Sequence, residues 1–452
     1  MEADRMHAWG PESEALAARV LDWSLRRMRA DPADLNSPRS EAELAAGLGD
    51  PITPDGVGEE RAFELFSEVI APSCLNCGHP RYLGFVPYAP TNAATVFDLA
   101  VSASGIFADW WLEGSGAIFA ENQALRWIAD LTGLPASAGG VFVSGGTQGN
   151  LNGLFVAREA ARARSGKRAQ EAVALCSGAH SSLRLVARVL DLDVVDVEAD
   201  DRGRMTGAAL AEALASTELN AIAVGATAGS TNLGIVDDLS GVAALCERDG
   251  LWLHVDGAYG GAALVEPSAR PLFDGIERAD SFVVDPHKWL FASLDCAALL
   301  YRDSSLARLV NTQQAEYLEV LDGDPEWNAS DLAIHMTRRA RGLPLWFSLA
   351  AHGTEAYERA VAHGLRLARE AAELIESSPM LELAMQPELS VVVFRRLGWG
   401  AEDYKRWSTE QLERGLTLTV PTVLAEETLL RFCFINPQTT DADIGAVLDS
   451  LV

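Results

Sequence analysis

Three patterns of apolar and polar residues follow one another along the chain. Through residues 1–70 the apolar positions recur at helical spacing. Residues 14–28 carry Leu16, Val20, Leu21, Trp23 and Leu25 on that period, and the run stops before Asp31-Pro32. Residues 50–56, with Pro51, Pro54 and Gly56, read as a loop, and residues 60–70 as a second amphipathic helix. A helical segment of this size cannot bury its own apolar faces, so it is expected to pack on another subunit or on the main domain.

From residue 71 to about 344 the pattern becomes one of short, β-rich apolar runs. They cover residues 140–143, 172–176, 194–197, 221–224, 251–255, 281–284 and 297–301. Amphipathic stretches rich in Ala and Leu, such as 151–163 and 208–215, lie between several of them. Buried strands separated by helices predict an α/β domain with a mostly parallel sheet covered on both faces. In such a sheet ligands bind beyond the carboxyl ends of the strands. Residues 345–452 read as a smaller α+β domain. It has a long helix over 345–376, strands over 390–395 and 428–434, and a closing helix over 441–451.

Composition narrows the partners. The chain has 452 residues, 48% of them hydrophobic, which suits a large domain plus smaller ones. Lys and Arg number 36 against 64 Asp and Glu, a formal net charge of −28. That surface repels phosphate backbones and anionic lipid, which argues against nucleic acid and membranes as partners. No apolar run reaches the roughly 18 residues of a membrane span, and residues 1–5 are polar. Of the six cysteines, Cys74 and Cys77 have zinc-knuckle spacing but lack a second pair of ligands. No metal site and no disulfide framework are expected, which suits a reducing cytoplasm.

The polar clusters fall at the ends of the apolar runs. Ser144-Gly145-Gly146-Thr147-Gln148-Gly149-Asn150 follows one run and opens a helical stretch. Glycines there let backbone N–H groups approach an anion at a helix N-terminus, although a plain strand-to-helix turn would look the same. The sequence is neither a Walker A loop nor G-x-G-x-x-G. His180 ends a second run, where a planar cofactor would lie. Ala228-Gly229-Ser230-Thr231 follows another, as a hydroxyl-bearing turn or as a contact to ligand.

Two further residues define a chemistry. Asp256 lies at the tip of the run 251–255, where a cation would have to offset its burial. Lys288, in Asp285-Pro286-His287-Lys288-Trp289, lies just past the next run. A Lys in a partly buried, electropositive site gives up its proton readily. This is the pair a pyridoxal phosphate enzyme needs: an amine to form a Schiff base and a carboxylate to keep the pyridine nitrogen protonated.

With those residues in place, the chain resembles the group II pyridoxal-phosphate decarboxylases, typified by aromatic-L-amino-acid decarboxylase and related to glutamate decarboxylase. The likeness runs from His79-Pro80 to Arg431-Phe432, and its most specific stretches are Asp285-Pro286-His287-Lys288-Trp289-Leu290 and His254-Val255-Asp256 with Ala258-Tyr259. It implies the fold type I architecture of pyridoxal-phosphate-dependent transferases and a homodimer with active sites at the subunit interface. By position, Lys288 would be the Schiff-base lysine, Asp256 the partner of the ring nitrogen, and His180 the stacking ring. Ala258 would pack on the other face, and Gly146, Thr147 and His287 would hold the phosphate. Ser230 stands where the family has a Thr near the ring. Tyr317 occupies the position of a lid tyrosine that reprotonates the α-carbon, and the turn-rich residues 322–328 suit such a lid.

Phe85 and Tyr88 correspond to the family's substrate wall, and Phe107 lies close to it. Asp109 falls near an aromatic position contributed by the other subunit, and reads either as a contact to a basic or hydroxylated substrate or as a solvent-facing turn. Asp285 replaces an Asn of the animal enzymes; a carboxylate beside a phosphate is unfavourable, which argues against a direct contact. The expected activity is L-amino-acid decarboxylation to carbon dioxide and a primary amine, with an aromatic substrate favoured over an aliphatic one. An oxygen-using aldehyde synthase on the same scaffold is the alternative. A nucleotide-dependent oxidoreductase and a non-catalytic cofactor-binding scaffold are the readings from other classes.

Overall fold

Seven strands form the central sheet: β1 (Gly139–Val143), β2 (Ala172–Cys176), β3 (Asp193–Val197), β4 (Ala221–Thr227), β5 (Trp252–Asp256), β6 (Ser281–Val284) and β7 (Ala297–Tyr301), in the order β1-β7-β6-β5-β4-β2-β3. This is a computed structural model, and it describes residues 5–30, 34–166, 168, 170–313 and 328–452. The pairs β2–β3, β2–β4, β4–β5 and β5–β6 are parallel. Only β7 is reversed, running antiparallel to both β1 and β6. Every residue of β2, β5, β6 and β7 is buried, as strands covered on both faces require. The carboxyl ends of β1, β2, β4, β5 and β6 therefore share one edge of the sheet. The fold is α/β of fold type I, as the strand pattern and the resemblance led one to expect.

The helix Gly146–Ser165 lies against this sheet so closely that glycine is needed. A Cβ at Gly153 would come within 2.6 Å of His254 Nδ1, and one at Gly149 within 2.4 Å of a Val283 methyl. The last two helices before β1, Asn92–Ala103 and Trp111–Thr132, were not resolved by the reading of short apolar runs. The long helix expected over 345–376 is two helices, Leu343–His352 and Thr354–Ser377. Gly353 between them takes φ +74°, a backbone turn that a continuous apolar period does not reveal.

A second sheet follows, with β8 (Leu381–Leu383), β9 (Val391–Arg396), β10 (Thr422–Leu424) and β11 (Glu427–Cys433) in the order β10-β11-β9-β8, antiparallel throughout. Phe394, Phe432, Phe434, Tyr404 and Trp407 form its core. Tyr259, just past β5, joins the two sheets: its hydroxyl lies 2.6 Å from Ser390 Oγ and accepts the Ser390 N–H at 3.0 Å. Tyr259 also stacks on Trp289, with centroids 5.5 Å apart and planes 6° from parallel. At the other end of the chain, the helix Pro11–Arg29 buries none of its residues, and its Trp23 meets Phe63 and Phe66 edge-on.

Candidate active site

The turns beyond β1, β2, β4, β5 and β6 surround one cleft with about 440 Å³ of empty space. Gly146 and Thr147 line it from the first turn, and His180 and Ser182 from the second. Thr227, Gly229 and Thr231 come from the end of β4. Asp256 and Ala258 come from β5, Asp285 and Lys288 from β6.

At the glycine turn, the helix Gly146–Ser165 begins without a side-chain cap. Its first N–H groups are left for an anion, reinforced by the helix dipole. A Cβ at Gly146 would lie 2.9 Å from Ala258 Cβ and 3.2 and 3.3 Å from the Asp285 carboxylate oxygens. Only glycine keeps that approach open.

Lys288 Nζ lies 2.8 Å from Asp285 Oδ2. The amine therefore does not sit in an electropositive setting, contrary to the sequence-based expectation. Asp285 is 2% exposed, and its nearest cation is Lys288, one turn along the same loop. His287 Nε2 is 3.7 Å from the same oxygen, while its Nδ1 accepts the Cys296 N–H at 3.0 Å. Burial lowers the His287 pKa, with the Asp285 charge opposing. His287 does not line the cleft; it backs the turn that carries Lys288.

Asp256 is 5% exposed. Its Oδ1 accepts the Ala258 N–H at 3.0 Å and its Oδ2 accepts an N–H from Asn150 Nδ2 at 2.9 Å. The same amide donates to Ser182 Oγ at 3.0 Å, and Ser182 Oγ lies 2.8 Å from His180 Nδ1. The Ser182 backbone N–H also donates to His180 Nδ1 at 3.2 Å. His180 thus carries its hydrogen on Nε2.

Several expected residues stand elsewhere. Ser230 Oγ accepts the Leu233 N–H at 3.4 Å and lines an adjoining cavity, while Thr231 and Gly229 line the cleft. Phe85 and Phe107 are more than half exposed, and neither they nor Tyr88 and Asp109 line the cleft within this chain. Tyr88 receives the Leu294 N–H at its hydroxyl, 3.4 Å away. Asp109 is 5% exposed, which rules out the solvent-facing turn; its carbonyl accepts from Ser330, and its Oδ1 is buried without a partner among the described residues. Tyr317 and residues 322–327 lie outside the described residues.

Sequence reasoning gave no role to two cleft residues, Asn150 and Thr227, or to Arg431, which bonds the cleft residue Thr231. Asn150 closes the glycine-rich stretch, but nothing in the sequence pairs it with Asp256, and Thr227 ends an apolar strand, where it does not attract notice. Thr227 Oγ1 is buried and unpartnered among the described residues. Arg431 is 4% exposed; its Nε donates to the Thr231 carbonyl at 2.7 Å, another nitrogen to the Phe85 carbonyl, and its Nη2 has no partner among the described residues. A basic residue in the apolar strand 428–434 was the available signal.

The residues present fit pyridoxal phosphate. A capless helix N-terminus suits the phosphate, a primary amine suits the aldehyde, a buried carboxylate suits a protonated ring nitrogen, and the orphaned Thr227 hydroxyl adds a further polar contact. Comparison with known proteins agrees. The pyridoxal-dependent decarboxylase conserved domain matches residues 57–397. Aromatic-L-amino-acid decarboxylase of Bacillus atrophaeus is 30% identical over 417 residues, spanning 89% of this chain and 86% of the relative. Human cysteine sulfinic acid decarboxylase is 35% identical over 376 residues, spanning 78% and 74%. The crystal structure of mouse CSAD superposes with a TM-score of 0.89 at 27% identity, covering 97% of each chain. The chain belongs to the pyridoxal-dependent decarboxylase family, and is a pyridoxal-phosphate-dependent carboxy-lyase of amino acids.

Proposed function

We propose that the chain decarboxylates an L-amino acid with an aromatic side chain, giving carbon dioxide and a primary amine. The observation that carries the aromatic preference is Phe85. Its ring is 57% exposed, and its backbone takes φ +48°, a left-handed conformation that costs a non-glycine residue about 1–2 kcal/mol. Arg431 holds it there by bridging the Phe85 carbonyl to Thr231, a cleft residue. A strained backbone that keeps a large ring out of the core, beside the site, supports a role in receiving an apolar substrate.

Bound pyridoxal phosphate supplies an electron sink for the bond to the α-carboxylate. Lys288 provides the amine, and Asp285 stands ready to accept its proton. Asp256 would hold the ring nitrogen's proton, and His180, with its hydrogen on Nε2, would stand against the ring. Arg431, buried against the cleft residue Thr231 and with one nitrogen unpaired among the described residues, is suited to orient the substrate's carboxylate. Tyr317 is assigned the return of a proton to the α-carbon, on its sequence context alone.

The same reading makes the working unit a homodimer in the cytoplasm, built from a helical segment (1–70), a cofactor domain (71–344) and a small domain (345–452). Val96, Leu99, Leu112 and Phe119, all about half exposed or more on the two helices before β1, support a partner surface. The free cysteines support a reducing compartment.

A panel of L-amino acids scored for carbon dioxide and hydrogen peroxide tests the proposal. Aromatic substrates are expected to give carbon dioxide and amine without peroxide. Stoichiometric peroxide would establish the aldehyde synthase instead, and preference for an acidic or basic amino acid would overturn the aromatic assignment.

A further inference from the structure

Trp252, His254 and Asp256 alternate along β5 and so face one side of the sheet. All are buried beneath the helix that carries Asn150. His254 is in register with Ser281 on β6. Their hydrogen bonds form one line. Trp252 Nε1 donates to Ser281 Oγ at 2.8 Å, and Ser281 Oγ lies 2.8 Å from His254 Nδ1. His254 Nε2 lies 2.9 Å from Asn150 Oδ1, and Asn150 Nδ2 donates to Asp256 Oδ2 at 2.9 Å.

The two ends fix the direction of every bond between them. An indole N–H only donates, and a carboxylate only accepts. Ser281 Oγ takes the Trp252 hydrogen and gives its own to His254 Nδ1. His254 then carries its hydrogen on Nε2 and gives it to Asn150 Oδ1, which turns the amide NH₂ toward Asp256. Starting from Asp256 and working back yields the same assignment. Burial pushes His254 down to about 4, against the pull of the Asp256 charge, so the imidazole is neutral as the line requires.

We propose that Trp252, Ser281 and His254 are positioning residues that act through Asn150 to fix the Asp256 carboxylate against the ring nitrogen of the cofactor. Without the His254 hydrogen the Asn150 carbonyl is buried and unpaired, and the amide is held from its NH₂ side alone, by Ser182 Oγ and Asp256 Oδ2. The proposal rests on Asp256 being the ring's partner, and the test separates the two.

His254→Leu removes the donor, whereas His254→Gln restores an N–H that reaches Asn150. Full-length variants are checked for folding by circular dichroism. They are then titrated with pyridoxal phosphate, and the ¹⁵N shift of the labelled ring nitrogen is read in the bound state. His254→Leu is expected to raise the cofactor Kd about tenfold, the cost of one hydrogen bond to a charged system, and to move the shift toward the unprotonated ring. His254→Gln is expected to stay within about twofold of the parent, a loss below 0.5 kcal/mol. Equal behaviour of the two variants, or a parental Kd and shift in His254→Leu, overturns the relay. Asp256→Ala is the control: if it too leaves Kd unchanged, the assignment of Asp256 is what fails. Should His254→Leu not fold, Trp252→Phe decides, with a rise in Kd of about threefold expected and a parental Kd overturning the relay.

Discussion

Lys288 Nζ stands 2.8 Å from Asp285 Oδ2, so the amine of the site meets a carboxylate from its own turn. That carboxylate also borders the glycine turn assigned to the phosphate, within about a Cβ contact of Gly146. Asp285 then has opposite effects on equilibrium and rate. Asp285→Asn removes a negative charge beside the phosphate and is expected to tighten pyridoxal phosphate binding about tenfold. It also removes the acceptor of the Lys288 proton, so visible absorbance should develop more slowly after mixing. Stopped-flow absorbance and equilibrium titration check both; weaker binding with faster incorporation would sink this account of Asp285.

The ligand-bearing edge of the sheet was legible because parallel strands covered on both faces must be apolar throughout. A polar residue that ends such a run, as His180, Asp256 and Lys288 do, stands out. What faces inward from a helix was not legible. Asn150 occupies a helical position where polar residues are ordinary, and its meaning comes only from the close approach that Gly149 and Gly153 permit. The alternation of Trp252, His254 and Asp256 with Leu253 and Val255 was in the sequence, but a fully buried strand has no solvent face to make period two informative. Phe85, Phe107 and Asp109 were expected at the substrate from the resemblance alone, and none of them lines the cleft within this chain.

Gly146 sets how near the helix comes to Ala258 and Asp285. Gly146→Ala puts a methyl 2.9 Å from Ala258 Cβ, closer than carbon atoms pack, so the first helical turn must shift. The expected result is a Kd for pyridoxal phosphate at least about tenfold weaker, with a stability loss of about 1–3 kcal/mol. Titration alongside urea unfolding checks this. An unchanged Kd would separate the glycine turn from the phosphate.

Lys288 and Tyr317 are expected to fail in different ways. Lys288→Ala should abolish the visible absorbance of the bound cofactor, and persistence of that band would count against the lysine's assignment. Tyr317→Phe should keep the band and the cofactor affinity while slowing amine formation by about 10²-fold, the usual worth of a proton donor. Amine output equal to the parent's would remove Tyr317 from the reaction.

His254 links the site to the acid stability of the fold. Burial holds its pKa at about 4, below the ordinary histidine value of 6.5. Between those values the unfolded chain binds a proton that the folded chain refuses. Stability from this residue is therefore complete above about pH 6.5 and is lost as pH falls toward 4, by up to about 3 kcal/mol. Asp237 works in the opposite sense. Burial raises its pKa to about 7, against the Thr227 and Met205 N–H bonds that lower it, so its cost grows as pH rises from 3.8 to 7. Because groups of both kinds act over the same range, the His254 contribution is read from a comparison of variants rather than from the parent's profile. Replacing His254 by Gln removes that contribution. The stability deficit of His254→Gln at pH 7 is expected to shrink by about 2–3 kcal/mol at pH 4.5, because only the parent has an imidazole to keep neutral. Urea unfolding at pH 4.5, 6 and 7 measures the difference, and a deficit that stays constant across that range would show that His254 is not held neutral by the fold.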